Sequence, residues 1–334
     1  DAIAYLWKEI GTTCIHLPQT HAVIQLLRVV LDQVAPHVYL ITETNVPHQD
    51  NISYFGNGMN EAQLVYNFAL PPLVLHTFRT GDASALSGWA SSLTLPSDRT
   101  TFFNFLASHD GVGLNPARGI LSSADIDSLV EQTLAHGGLI SNKQNSDGTK
   151  SPYEMNINYF DALSNPSSHE ALDIQVDRFM AAQAIMLTMI GMPGIYFHSL
   201  FGSRNWKEGV QLTKHNRTIN RQKLERVELE KQLADTNSLR SKVFTRYREL
   251  LLARSSTSAF DPHGRQKVLE IEKGIFAVSR NSLDGSKQVL CLQSVTDEEQ
   301  QIENPLKKTA RDLLTSRVVG SQFTLKPYQT LWLV

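Results

Sequence analysis

Only two of the 334 residues are cysteine, Cys14 and Cys291, too few for a disulfide framework. As ordinary buried thiols they fit a reducing, cytoplasmic compartment. Long hydrophobic runs are also missing: no stretch of about 18 apolar residues occurs, so no helical membrane span is expected. Neither sign of charge dominates, with 31 Lys and Arg against 33 Asp and Glu. That balance steers the protein toward neither nucleic acid nor an anionic membrane. A Gly-rich phosphate turn after a first strand, the mark of a dinucleotide site, is absent. His16 and His21 stand at no metal-ligand spacing from a Cys or an acid. No metal and no other cofactor is therefore expected. The 41% hydrophobic content allows one large domain, with or without a small one, and ample core.

What is present is a repeated design in which a short apolar run stops at an acid. VYLITE (38 to 43) stops at Glu43, and TFFNFLASHD (101 to 110) stops at Asp110. A buried parallel strand reads this way and presents its last residue to a ligand. The chain opens on a third acid, Asp1, before AIAYLWK. Three acids at strand ends point to chemistry on a polar substrate, most simply a sugar.

In order, the sequence predicts a helix over 21–34, a strand over 38–43 and a polar loop over 44–62. A strand follows at 63–68, a helix at 73–93 behind Pro71 and Pro72, and a strand at 101–110. Residues 111 to 168 read as one long irregular stretch, which is uncommon unless it serves a site. A helix at 173–191, a strand at 194–200 and helices at 222–234 and 241–254 complete this portion. From about 260 the texture changes to short alternating runs, with a hairpin signal at Asp284-Gly285. The expected fold class is α/β: the C-terminal half of a (β/α)8 barrel over 1–257, then a small antiparallel β domain over 258–334. Half a barrel cannot close, so the chain reads as a piece of a longer enzyme.

These segments resemble the catalytic segments of glycoside hydrolase family 13, the α-amylase superfamily. TETNVPHQDNISYFGNG (42–58), FALPPLVLHTF (68–78), SPYEMNINYFDAL (151–163) and RTINR (217–221) are similar to its sucrose-phosphorylase subfamily. Within that, the TETNVP–NISYFG version looks like the branch acting on glucosylglycerate. The resemblance covers nearly the whole chain. It implies retaining transfer of an α-glucosyl group to phosphate, giving α-glucose 1-phosphate, with inorganic phosphate as a substrate. Alternatives are a sucrose or sucrose-6-phosphate phosphorylase, an α-glucosidase or transglucosidase, or a catalytically silent binding module. The expected partners are a small sugar and phosphate, with a homodimer as the one assembly entertained.

By position in the family's motifs, Asp1 is the nucleophile, Glu43 the acid/base and Asp110 the acid that holds sugar hydroxyls. Asp1 should stay ionised, and Glu43 needs a raised pKa. The family's Arg two residues before the nucleophile has no counterpart in this sequence. The resemblance also implies that His109 binds a glucose hydroxyl and that Arg221 closes the far end of the glucose subsite. Arg217 suits a phosphate or carboxylate, and Tyr153 and Glu154 lie in a loop expected to change shape near phosphate. Asn45, His48 and Asn51 follow Glu43 on the acceptor side. Arg204, Lys207, Lys214 and Lys223 read as solvated, and Trp7, Trp89 and Trp332 as core or platform residues.

Overall fold

A computed structural model describes residues 1–145 and 147–334. Helix α1 (Pro18–Val34) starts with proline in its first turn and buries Thr20, Ile24 and Arg28. Strand β1 is Ile41–Thr42, followed by the short helix α2 (His48–Ile52) and strand β2 (Leu64–Tyr66). Helices α3 (Leu70–Thr80) and α4 (Ser84–Ser92) replace the single helix expected over 73–93. The break is Gly81, at φ +66, which caps α3 in the left-handed region. Asp82 then accepts the Ser84 N–H at 2.8 Å and starts α4.

Strand β3 is only Thr101–Asn104, so Asp110 lies on the loop beyond it and not at the strand's last residue. The apolar run continues because Phe105 and Leu106 are core residues of that loop. Among its described residues, the stretch read as irregular holds regular elements. Strand β4 (Val112–Gly113) pairs with β6 (Lys150–Asn156), which pairs with β5 (Leu139–Gln144). Between β4 and β5 runs α5 (Ser123–Ala135), begun by a capping box of Ser122 and Asp125. Helix α6 (Tyr159–Leu163) and the buried α7 (Leu172–Thr188) follow. The strand expected over 194–200 is displaced: β7 is Met192–Pro193, and Phe197–Leu200 form α8. Helices α9 (Lys207–Thr213), α10 (Arg226–Ala234) and α11 (Leu239–Ser255) end this portion.

The four strands β1-β2-β3-β7 form one parallel sheet, half of an eight-stranded β/α barrel. Asn67 and Asn104, just beyond β2 and at the end of β3, bond to each other at 2.9 Å. Both edges of this sheet are open. Beside β1, the side chains of Val38, Tyr39 and Ile41, and of Leu26, Leu27, Val30 and Val34 on α1, are exposed.

From Arg265 onward every strand is antiparallel. Strands β8 (Arg265–Leu269), β9 (Ile275–Asn281), β10 (Gln288–Ser294), β11 (Gln300–Glu303), β12 (Ala310–Arg311), β13 (Val318–Val319), β14 (Gln322–Leu325) and β15 (Thr330–Leu333) make three sheets. The main one has the order β15-β10-β9-β8, with Asp284-Gly285 in the β9–β10 turn. One continuous core joins it to the helices: Phe276, Val278 and Trp332 pack in the same cluster as α3 and α7. Arg280 on β9 is fully buried and donates to the carbonyls of Thr188, Met189 and Asp261 at 2.8, 2.9 and 2.7 Å. Those bonds tie the sheet to the end of α7 and satisfy carbonyls that a helix end leaves open. Among the described residues, no helix is long and apolar enough to cross a membrane.

Candidate active site

In a parallel sheet all carboxyl ends lie on one side, and ligand sites of such barrels gather there. Glu43 follows β1 directly, and the loop 105–111 follows β3, so Glu43 and Asp110 emerge on the same rim.

Asp110 is the centre of the densest charge cluster. Its Oδ1 accepts Arg217 Nη1 at 2.7 Å and Arg221 Nη2 at 2.9 Å, with His109 Nε2 at 3.7 Å. Arg217 turns its other edge to Glu154, Nε to Oε1 at 3.0 Å and Nη2 to Oε2 at 2.7 Å. That is a bidentate pair, the geometry in which a guanidinium binds a carboxylate most strongly. Glu154 is only 2% exposed and stands on β6. Its bonds raise the pKa of Arg217. Asn220 donates to the carbonyl of Asp110 at 2.7 Å, and Tyr196 donates to the carbonyl of Asn220 at 2.8 Å. Arg221 Nε reaches the His109 carbonyl, and its Nη1 has no partner among the described residues. Asp110 Oδ2 is likewise free of these bonds, so it can accept a sugar hydroxyl.

On the β1 side, Glu43 Oε2 accepts the Ala2 N–H at 3.1 Å, which seats Asp1 beside Glu43 along the backbone. Asn45 Nδ2 donates to the Tyr153 hydroxyl at 3.2 Å. Burial, with the charge of Glu154 and a smaller effect of Glu43, raises the Tyr153 pKa. Burial and Glu43 do the same to Tyr66, at the end of β2. Tyr153 therefore stands between the two acid centres, because its neighbour Glu154 belongs to the Asp110 cluster.

The structure thus joins Asp110, His109, Arg217, Arg221 and Glu154 directly, sets Asp1 by Glu43, and links Asn45 to Tyr153. Glu154 faces Arg217 with both oxygens, so in this arrangement it holds an arginine and not a ligand. Other expected placements differ. His48 is buried in edge-to-face contact with Trp89 at 5.7 Å, and burial lowers its pKa. Asn51 is buried and bonds Thr44 and the Tyr66 carbonyl. Both lie in the core because α2 folds back onto the sheet. Arg204, though partly exposed, is not a free surface cation: it pairs with buried Asp161 at 2.8 Å. Trp89 and Trp332 are core residues, and Trp7 is exposed. His16 and His21 bond Tyr54 and Glu61 at 2.8 and 2.9 Å. No cluster of three or more metal-ligating side chains occurs among the described residues. Residues missed in the sequence are Asn220, Tyr196 and Tyr66. Asn220 had a signal, since it sits inside the RTINR segment. Tyr196 was hidden in a run read as strand.

Gly111 follows Asp110 where a side chain has no room. A Cβ there would lie 2.5 Å from the Met155 carbonyl oxygen and 2.6 Å from Glu154 Cγ. Gly111→Ala is therefore expected to push β6 from the Asp110 loop and cost about 1–3 kcal/mol, read as a lower thermal midpoint. An unchanged midpoint would mean that the loop absorbs the methyl group freely.

No protein-family model matches the chain. It is 50% identical over 336 residues to a glucosylglycerate phosphorylase of Allomeiothermus silvanus, an alignment covering 100% of this chain and 58% of that protein. To the glucosylglycerate phosphorylase of Spirochaeta thermophila it is 51% identical over 331 residues, 98% of this chain and 56% of that protein. The chain thus spans under three fifths of the length of these curated relatives. Among solved structures, sucrose 6F-phosphate phosphorylase from Thermoanaerobacter thermosaccharolyticum superposes with TM-score 0.73 over 97% of this chain and 59% of that one. At 22% identity that likeness is one of fold.

Proposed function

The chain is a homologue of the glucosylglycerate phosphorylases, within the sucrose-phosphorylase group of glycoside hydrolase family 13, and from that premise we propose its activity. The protein that carries it transfers an α-glucosyl group from 2-O-α-glucosylglycerate to inorganic phosphate, giving α-glucose 1-phosphate and glycerate. The observation that carries this reading is the placement of Glu43 and Asp110 on one rim, with Asp1 beside Glu43.

The Asp1 carboxylate attacks the anomeric carbon while Glu43, protonated, gives its proton to the departing glycerate oxygen. Glu43, now a carboxylate, takes a proton from phosphate as a phosphate oxygen displaces Asp1. Two inversions give net retention. Asp110 offers Oδ2 to the sugar hydroxyls while its Oδ1 stays clamped by two arginines. Arg221 Nη1 is the guanidinium edge left to meet an anion, phosphate or the acceptor carboxylate. A cytoplasmic setting fits the two free cysteines.

The test is a product assay on the full-length protein. Glucosylglycerate with phosphate should release glucose 1-phosphate, and without phosphate should release little free glucose. Fast phosphorolysis of sucrose with none of glucosylglycerate would replace the acceptor assignment. Equal glucose release with and without phosphate would make the protein a hydrolase.

A further inference from the structure

The arginines that clamp Asp110 stand on a 3-10 turn, Asn216–Asn220, and its following residue. Several elements hold that turn, among them Tyr196, which donates to the Asn220 carbonyl, and one set of its bonds traces to a buried acid. Asp161 on α6 is 1% exposed. Its Oδ1 accepts Arg204 Nη1 at 2.8 Å, and its Oδ2 accepts the backbone N–H of Asn205 at 2.7 Å. Its backbone carbonyl takes His136 Nδ1 at 2.7 Å. Arg204 also donates to Gln175 Oε1 at 2.8 Å and lies 4.9 Å over the Phe160 ring.

From there the bonds run to the turn. Asn205 Oδ1 accepts the Asn158 N–H at 2.8 Å. The Asn158 side chain in turn donates to the carbonyls of Arg204 at 2.7 Å and Ile219 at 3.0 Å. The Trp206 N–H donates to the same Ile219 carbonyl at 2.8 Å. Ile219 lies between Arg217 and Asn220, whose side chains grip Asp110 and its carbonyl. Burial raises the Asp161 pKa, opposed first by the Asn205 N–H and then by Arg204. A buried carboxylate is retained only with such partners.

We propose that Asp161 is a positioning residue for the reaction: through Arg204, Asn205 and Asn158 it fixes the turn that aims Arg217 and Arg221 at Asp110. It bonds none of the candidate substrate-binding groups, so it acts on the reaction only through the residues it holds. The inference rests on the proposed activity for one of its two readouts only.

The test uses the full-length protein and its Asp161→Asn variant. The amide turns one acceptor oxygen into a donor facing a guanidinium or an N–H, which opens the link. Amide hydrogen exchange across 204–221 is expected to quicken about tenfold or more, while exchange in α7 and in β9–β10 stays as in the parent. Phosphorolysis should lose roughly 10–100-fold in kcat with a much smaller change in KM, as a misaimed stabilising group would cause. Exchange that quickens evenly over the molecule, or not at all in 204–221, overturns the proposal and leaves Asp161 as an ordinary core residue. If Asp161→Asn does not fold, Arg204→Gln, at a partly exposed side chain, gives the same local readout. Should the parent show no phosphorolysis, the proposed activity fails, while local exchange still decides the role of Asp161.

Discussion

Glu43→Gln in the full-length protein is expected to lower phosphorolysis of glucosylglycerate by about 10²–10⁴-fold, the usual worth of a positioned general acid. Glutamine keeps the size of the side chain and an oxygen to accept the Ala2 N–H, the bond Glu43 makes at 3.1 Å. What it removes is the proton and the later base. The loss should therefore fall on kcat, with the fold and its thermal midpoint intact. The poor leaving ability of an alkoxide makes the acid necessary in the first step, and phosphate activation needs the base in the second. A loss below about tenfold is too small for a general acid, and would move the acid/base role to another residue. Its pH profile offers a second check, because the limb that reports the acid should disappear in the variant.

Arg217→Ala is expected to be the most damaging change to stability in the site. It strips Glu154 of both guanidinium bonds and takes one of two arginines from Asp110. Glu154 is 2% exposed, so the variant strands a carboxylate with little water. Breaking a buried pair typically costs 3–5 kcal/mol, and since Arg217 itself is about a third exposed the low end, about 3 kcal/mol, applies here. Unfolding by urea or heat measures this. Adding Glu154→Gln should restore part of the loss, because the stranded charge goes while a neutral group remains. A double variant no more stable than Arg217→Ala would show that the Glu154 charge is not the cause. Turnover should drop as well, since the Asp110 carboxylate then keeps one of its two arginines.

Much of this site is legible in the sequence, for a local reason. Glu43 and Asp110 each close an apolar run, and RTINR and SPYEMN hold their cations and tyrosine within a few residues. The hairpin at Asp284-Gly285 and the helix behind Pro71 and Pro72 are local signals too. Finer local signals are present too. Gly81 divides a helix read as one, and Ser122 with Asp125 opens a helix inside a stretch read as irregular. The runs FFNFL and GIYFHSL misled because apolarity reports burial and not backbone form. Phe105 and Leu106 are buried in a loop, and His198 and Ser199 are buried in a helix.

The β/α alternation, the antiparallel tail and the candidate acids Glu43 and Asp110, each closing an apolar run, follow from patterns a few residues long, which the local chain dictates before anything packs. Which cation meets which carboxylate does not. Arg217 bridges Glu154, 63 residues away, and Asp110, 107 residues away. Arg204, solvated by any local reading, is claimed by an acid on α6. Such pairings arise only when loops from separate strands are brought to one rim by the packing of the sheet and its helices. No local pattern encodes them, because each bond forms only once packing has carried partners far apart in the chain to within reach of one another.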